Sequence, residues 1–160
     1  MEKFTFFWRT QSPFSQWHPA RFVIDGVEFN CAEQYMMYGK AKLFADEEMA
    51  LKILKSKTPI QQKALGRKVK HFDEKIWESN CRKIVYEGNY AKFTQNEELK
   101  RILIGTRGTT LVEASPTDRI WGVGLSEEDP RIQDRKRWRG KNWLGEILTQ
   151  VREDLVGKGD

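Results

Sequence analysis

Two β-rich stretches open the chain, and from residue 32 onward the apolar positions fall into a helical repeat. Residues 4 to 8, "FTFFW", predict a short strand that ends in the polar turn "RTQSP". "RFVIDGVEFN" (21 to 30) has two β-favouring arms around Asp25-Gly26, a dipeptide suited to a tight hairpin. "AEQYMMYGKAKLF" predicts a helix from Ala32 to about Phe44, and "DEEMALKILKS" a second one with acids in its first turn. Pro59 opens a third, to about Val69. "FDEKIWESNCRKIVYEGNYAKF" predicts a longer helix with Ile76, Trp77, Cys81, Ile84 and Val85 as its apolar stripe. "NEELKRILIGT" gives a short helix stopped near Gly105, and "TTLVEAS" alternates as a strand does. "PTDRIWGVGLSEEDP" is loop-like, and "NWLGEILTQVREDLVGKG" closes the chain as an amphipathic helix ending at Gly159. Helices dominate over a few short strands, which predicts an α+β fold, a single helix-rich domain over 1–160 with a small β-sheet.

At 160 residues the chain is long enough to bury a core without disulfides or metal. No apolar run approaches the roughly 18 residues of a membrane span, and "MEKFTFFWRT" lacks the pattern of a signal peptide. Cys31 and Cys81 stand far apart with no CxxC pairing, as buried thiols do in a reducing compartment. Together these predict a cytoplasmic protein with no membrane partner.

Charge changes the picture at one place. "RIQDRKRWRGK" (131 to 141) holds six basic residues against Asp134, and so accounts by itself for the net charge of +5. Such a stretch suits a polyanion or phosphate-bearing partner; it equally suits a solvated, mobile loop.

Several catalytic motifs are absent. His18 and His71 have no metal-ligand spacing, and neither HExxH nor GxSxG occurs. "RGKNWLG" has Arg135 where a phosphate-binding loop needs its first glycine, and "WGVGL" lacks the third glycine of a dinucleotide fingerprint. No metal site and no cofactor is expected.

Four stretches invite a chemical reading. "SPFSQWHP" is a short polar and aromatic segment between strands. Glu33 and Lys40 lie seven apart, on one helix face two turns apart, although Glu33 also suits a first-turn helix charge. Trp77 sits on the long helix, where packing alone would explain it. "TDRIWGVGL" and "GKNWLG" bring glycines that let backbone approach a ligand, with Asn142 placed to cap the last helix and basic residues just before it. Asp118 there is equally at home as a turn residue.

In this order "PFSQW", "AEQYMMYGKAKLF", "IW", "TDRIWGVGL" and "GKNWLG" resemble the NADAR superfamily, also called YbiA-like N-glycosidases, from about Phe6 to Leu155. The resemblance implies a YbiA-like (NADAR) fold and hydrolysis of N-glycosidic bonds in phosphorylated ribosyl compounds. The substrate is either a ribosylaminopyrimidine phosphate of the riboflavin pathway or ADP-ribose attached to guanine in nucleic acid. It also implies catalytic roles for Glu33, Lys40, Trp77 and Asp118, and substrate binding by Phe14, Ser15, Trp121, Gly122, Gly124, Lys141 and Asn142.

The chemistry is intelligible. Breaking the C1–N bond of ribose develops oxocarbenium character at C1 and negative charge on the departing base. Glu33 is cast as the ring-side carboxylate and Asp118 as the leaving-group or water-handling partner, roles that could be exchanged. Trp77 would stack on the base or wall off water. Lys40 admits a Schiff base with the opened ribose, an ion pair with Glu33, or a phosphate contact. The chain departs from short family members in one turn, where a "WGDG"-type sequence is "WGVG", so Val123 supplies no carboxylate and more weight falls on Asp118.

Two other classes compete. A non-catalytic module binding ADP-ribose or NAD-like ligands would use the same pocket without turnover. A nucleic-acid-binding module would use Trp138, Trp143 and the 131–141 cations.

Overall fold

The structure, a computed structural model, describes residues 1–158. The chain forms two compact units, Gln16–Glu97 and a discontinuous one of Met1–Ser15 with Glu98 onward.

The continuous unit starts with the predicted hairpin, β2 (Phe22–Ile24) antiparallel to β3 (Val27–Phe29). Asp25 and Gly26 both have positive φ, 51° and 78°, the conformation that a two-residue turn between twisted strands demands. Phe22 and Phe29, buried on one face of the hairpin, meet the edge of Tyr35 on α1 (Ala32–Leu43).

After α1 come α2 (Glu47–Lys55), α3 (Pro59–Gly66) and α4 (Glu74–Thr94). Their starts follow capping chemistry: Asp46, Thr58 and Asp73 accept N–H groups of α2, α3 and α4 respectively. Glycines let α1 and α4 approach closely. A Cβ on Gly39 would lie 2.7 Å from Ile84, and one on Gly88 would lie 2.8 Å from Tyr35. The two helices therefore run antiparallel against each other.

The stripe predicted for α4 is displaced. Cys81 and Val85 are buried, but Ile76 is 46% exposed, and the buried face continues instead through Gly88, Asn89 and Lys92. These positions keep the helical repeat while carrying polar groups, which a hydropathy pattern assigns to solvent.

In the discontinuous unit β1 (Phe4–Phe7) pairs in parallel with β4 (Thr110–Glu113), Phe4 opposite Thr110. The small β-structure is thus two separate two-stranded sheets, one in each unit. The helix α5 (Glu97–Ile104) begins at the boundary between units, and α6 (Trp143–Lys158) packs on β4. The expected helix end at Gly159 lies outside the described residues.

Buried Arg152 of α6 donates to Thr106 and to the carbonyl of Thr109, fixing the turn before β4. Val123, where the family turn could hold an acid, is instead fully buried with Val112, Ala114, Leu125 and Ile132. Its side chain belongs to the core.

The basic stretch is an ordered structure. Short 3-10 helices span Pro130–Gln133 and Arg135–Arg137. Arg131 pairs with Asp129, and Arg135 with Glu2 and Glu146. Trp138 packs on Phe4 while Arg135 covers its ring and Ile132 O accepts its N–H. Arg131, Arg135 and the indole are thus engaged inside the unit, while Lys136, Arg137, Arg139 and Lys141 are exposed, as a solvated stretch would have them. No helix among the described residues is long and apolar enough to cross a membrane.

Candidate active site

In the unit 16–97, three sequence-predicted residues meet. Glu33 stands in the first turn of α1, where a carboxylate is favoured by the helix N-terminus, and it is only 4% exposed. Its N–H donates to Gln16 O at 2.9 Å, which ties the "PFSQW" segment to the start of α1.

Lys40, two turns on, is half-buried with its Nζ 4.6 Å from the centre of the Phe72 ring and 5.8 Å from that of Trp77. Trp77 reaches it because α4 crosses α1 at Gly39, with Ile84 at the crossing two turns beyond Trp77. Burial lowers the Lys40 pKa from the ordinary range; the Glu33 charge opposes the fall and the Arg67 charge adds to it. The pattern is a buried acid, an amine with weakened hold on its proton, and an aromatic wall. Among the described residues no three His, Cys, Asp or Glu side chains gather where they could hold a metal ion.

In the other unit, the "TDRIWGVGL" stretch is knitted to Arg139 and the "GKNWLG" that follows it by five backbone hydrogen bonds. The N–H groups of Arg139, Lys141, Asn142, Trp143 and Leu144 donate to carbonyls of Val123, Arg119, Gly122, Ile120 and Trp121. The chains approach so closely that a Cβ on Gly140 would lie 2.3 Å from Gly122 O. Gly124 has φ +69°, where a side chain would be strained.

Asp118 Oδ1 accepts N–H groups of Ile120 and Trp121, both at 2.9 Å, which makes it the hinge of its turn; its other oxygen takes no bond from the described residues. Trp121 meets Trp143 edge-on at 5.8 Å, and Lys141 Nζ lies over Trp143. Asn142 is fully buried, its amide bridging Glu113 N–H and Leu111 C=O rather than capping α6 through its side chain. Phe14 is buried edge-on against Phe7, and Ser15 closes a turn on Ser12 O.

The sequence reading missed a polar layer behind Glu33. Asn89 donates to Gln16 Oε1 at 2.8 Å, and Cys31 Sγ donates to Gln62. Gln16 Nε2 and Asn89 Oδ1 are buried with no hydrogen-bond partner among the described residues. Lys92, one turn after Asn89, is fully buried, and burial pushes its pKa down to about 7. Burial pushes the Cys31 thiol up to about 11. Helical spacing from Cys81 and Val85 is the signal that could have placed Asn89 and Lys92 inside.

Lys92 gives stability a definite pH dependence. Between about pH 7 and 10 the unfolded lysine keeps a proton that the folded one releases, so stability rises with pH, by at most about 1.4 kcal/mol per unit. The Cys31 thiol works oppositely above about pH 9, where the unfolded chain loses its proton first. Denaturation midpoints are expected to climb from pH 7 to 9 and then level off. Lys92→Met should flatten the climb; an unchanged profile would remove Lys92 as its source.

The NADAR domain model matches residues 6–156, across both units. The chain belongs to the NADAR family. It is 43% identical to Protein irg-1 of Caenorhabditis elegans over 95% of this chain and 79% of the relative. It is also 43% identical to N-glycosidase R617 of Acanthamoeba polyphaga mimivirus, over 88% of this chain and 86% of that protein. The NMR structure of Escherichia coli YbiA superposes with a TM-score of 0.80 at 28% identity, over 99% of this chain and 89% of that one. The helix-rich α+β architecture is thus the NADAR fold that the sequence motifs imply.

Proposed function

We propose that this NADAR protein hydrolyses the N-glycosidic bond of a phosphorylated ribosyl compound. That it is a hydrolase of N-glycosyl bonds follows from relatives bearing the name N-glycosidase; the substrate class is our reading. The observation that carries it is the meeting of buried Glu33 with half-buried Lys40 and Trp77 in one unit.

Glu33 is suited to stand beside C1, where a fixed carboxylate stabilises developing positive charge without the reorganisation that water would need. Trp77 offers a flat apolar surface to a base or a ring. For Asp118 the support is the family resemblance and its second, uncommitted oxygen. The lowered Lys40 pKa favours a covalent route: the neutral amine adds to C1 of the ring-opened glycoside, the C1–N bond to the base breaks as the base leaves with a proton, and water later cleaves the resulting Lys40 imine to release the sugar and restore the amine.

The test is base release, followed by chromatography, from a ribosylaminopyrimidine 5′-phosphate and from an ADP-ribosylated guanine oligonucleotide. Release from one names the substrate class, and release from neither overturns the reading. Borohydride added during turnover should fix a sugar adduct on wild type but not on Lys40→Ala, read by mass. No adduct on wild type would leave Glu33 to act without a covalent intermediate.

A further inference from the structure

The turn between α3 and α4, residues 67 to 73, wraps the end of α1 that carries Lys40. Three contacts fix it there. Gly66 abuts Met37 of α1, one turn before Lys40, so closely that a Cβ would lie 2.1 Å from the Met37 sulfur. Asp46 accepts the Lys70 N–H at 2.9 Å. Phe72 packs on Phe44 at 5.4 Å and lies under the Lys40 Nζ.

From Lys63 to Phe72 the chain holds Lys63, Arg67, Lys68 and Lys70 with no acid. Arg67, Lys68 and Lys70 are exposed, and their side chains make no ion pair among the described residues. In the 131–141 stretch Arg131 and Arg135 are already paired, and Lys136, Arg137, Arg139 and Lys141 take no ion pair among the described residues. Binding an anion at the α3–α4 turn breaks no existing pair. Phe72 of the same turn lies 4.6 Å from Lys40 Nζ, so a phosphate gripped at this turn would stand near the proposed reaction centre.

We infer that this turn is the phosphate-binding arm of the Glu33–Lys40–Trp77 site, with Arg67 gripping a phosphate or pyrophosphate of the ligand and Lys68 and Lys70 supplying the surrounding field. Arginine suits the role because its planar fork meets two phosphate oxygens at once. The inference rests on the ribosyl-phosphate reading above and moves the phosphate from Lys141, Asn142 and the 131–139 patch, the candidates that the sequence offered, to Arg67.

Calorimetry with ADP-ribose and with ribose 5-phosphate tests it on the full chain. Arg67→Gln should weaken whichever probe the wild type binds by about 10- to 100-fold, as loss of a charge-assisted contact does. Arg67→Lys should recover part of that loss, and the salt dependence of binding should be shallower in Arg67→Gln. Arg67 is exposed, so a melting curve matching wild type is expected and separates lost contact from lost fold.

No binding of either probe to wild type overturns the inference, as does a loss seen in Lys141→Gln but not in Arg67→Gln. Arg67-dependent binding without base release from either substrate would sink the glycosidase reading alone. Base release with unaltered Kd in Arg67→Gln would sink only the phosphate arm.

Discussion

Glu33→Gln is expected to lower kcat by about 10²- to 10⁴-fold while leaving ADP-ribose affinity within a few-fold of wild type. Glutamine matches the volume and keeps the backbone bond to Gln16 O, so the first turn of α1 is preserved. What it removes is the negative charge, at a position where burial makes that charge effective. The Glu33 charge also raises the Lys40 pKa, so its loss leaves Lys40 more readily neutral. If Lys40 alone carried the reaction, the variant would stay active and extend its activity to lower pH. Activity within about three-fold of wild type would end the case for Glu33 as a catalytic residue. Steady-state kinetics across pH reads both results.

Asn142→Ala is expected to be the most destabilising single change near the Gly122–Asn142 ladder, by about 3–6 kcal/mol. The two backbone groups that its amide bridges, the part-buried Glu113 N–H and the buried Leu111 C=O, lose their partner. Alanine must also hold φ near the +54° that Asn142 adopts. Asn142→Gly removes that second cost and so should recover about 1 kcal/mol of the loss. The melting temperature of the alanine variant should fall by about 10–20 °C, and a fall under about 3 °C would show that the bridge is dispensable.

How much of this was legible in the sequence varies with the physics of each feature. The hairpin was, because Asp25-Gly26 tolerates positive φ and few other pairs do. The helices were, because Pro59, Asp46, Thr58 and Asp73 announce their starts. Glu33 and Lys40 were set on one face by helical geometry, and Trp77 joined them through the family resemblance. The parallel pairing of β1 with β4 was not legible, since no local signal links strands so far apart. Lys92 and Asn89 were misread because a pattern method sends lysine and asparagine to solvent, whereas here tertiary packing placed them inside. The basic stretch near residue 135 drew attention by density alone. Pairing with Glu2 and Glu146 occupies Arg135, and Asp129 occupies Arg131, whereas the cations at 67 to 70 take no ion pair among the described residues.

The pairing of β1 with β4 also sets an order of events at the ribosome. Thr5 of β1 and Thr109, just before β4, share a hydrogen bond and are 104 residues apart. At about 5–20 residues per second, the emerging β1 waits roughly 5–20 s before its partner exists. All of Gln16–Glu97 is synthesised within that interval, hairpin and α1 to α4 included. "FTFFW" therefore spends the interval as an unsatisfied apolar edge, the part of the nascent chain with most to gain from a chaperone.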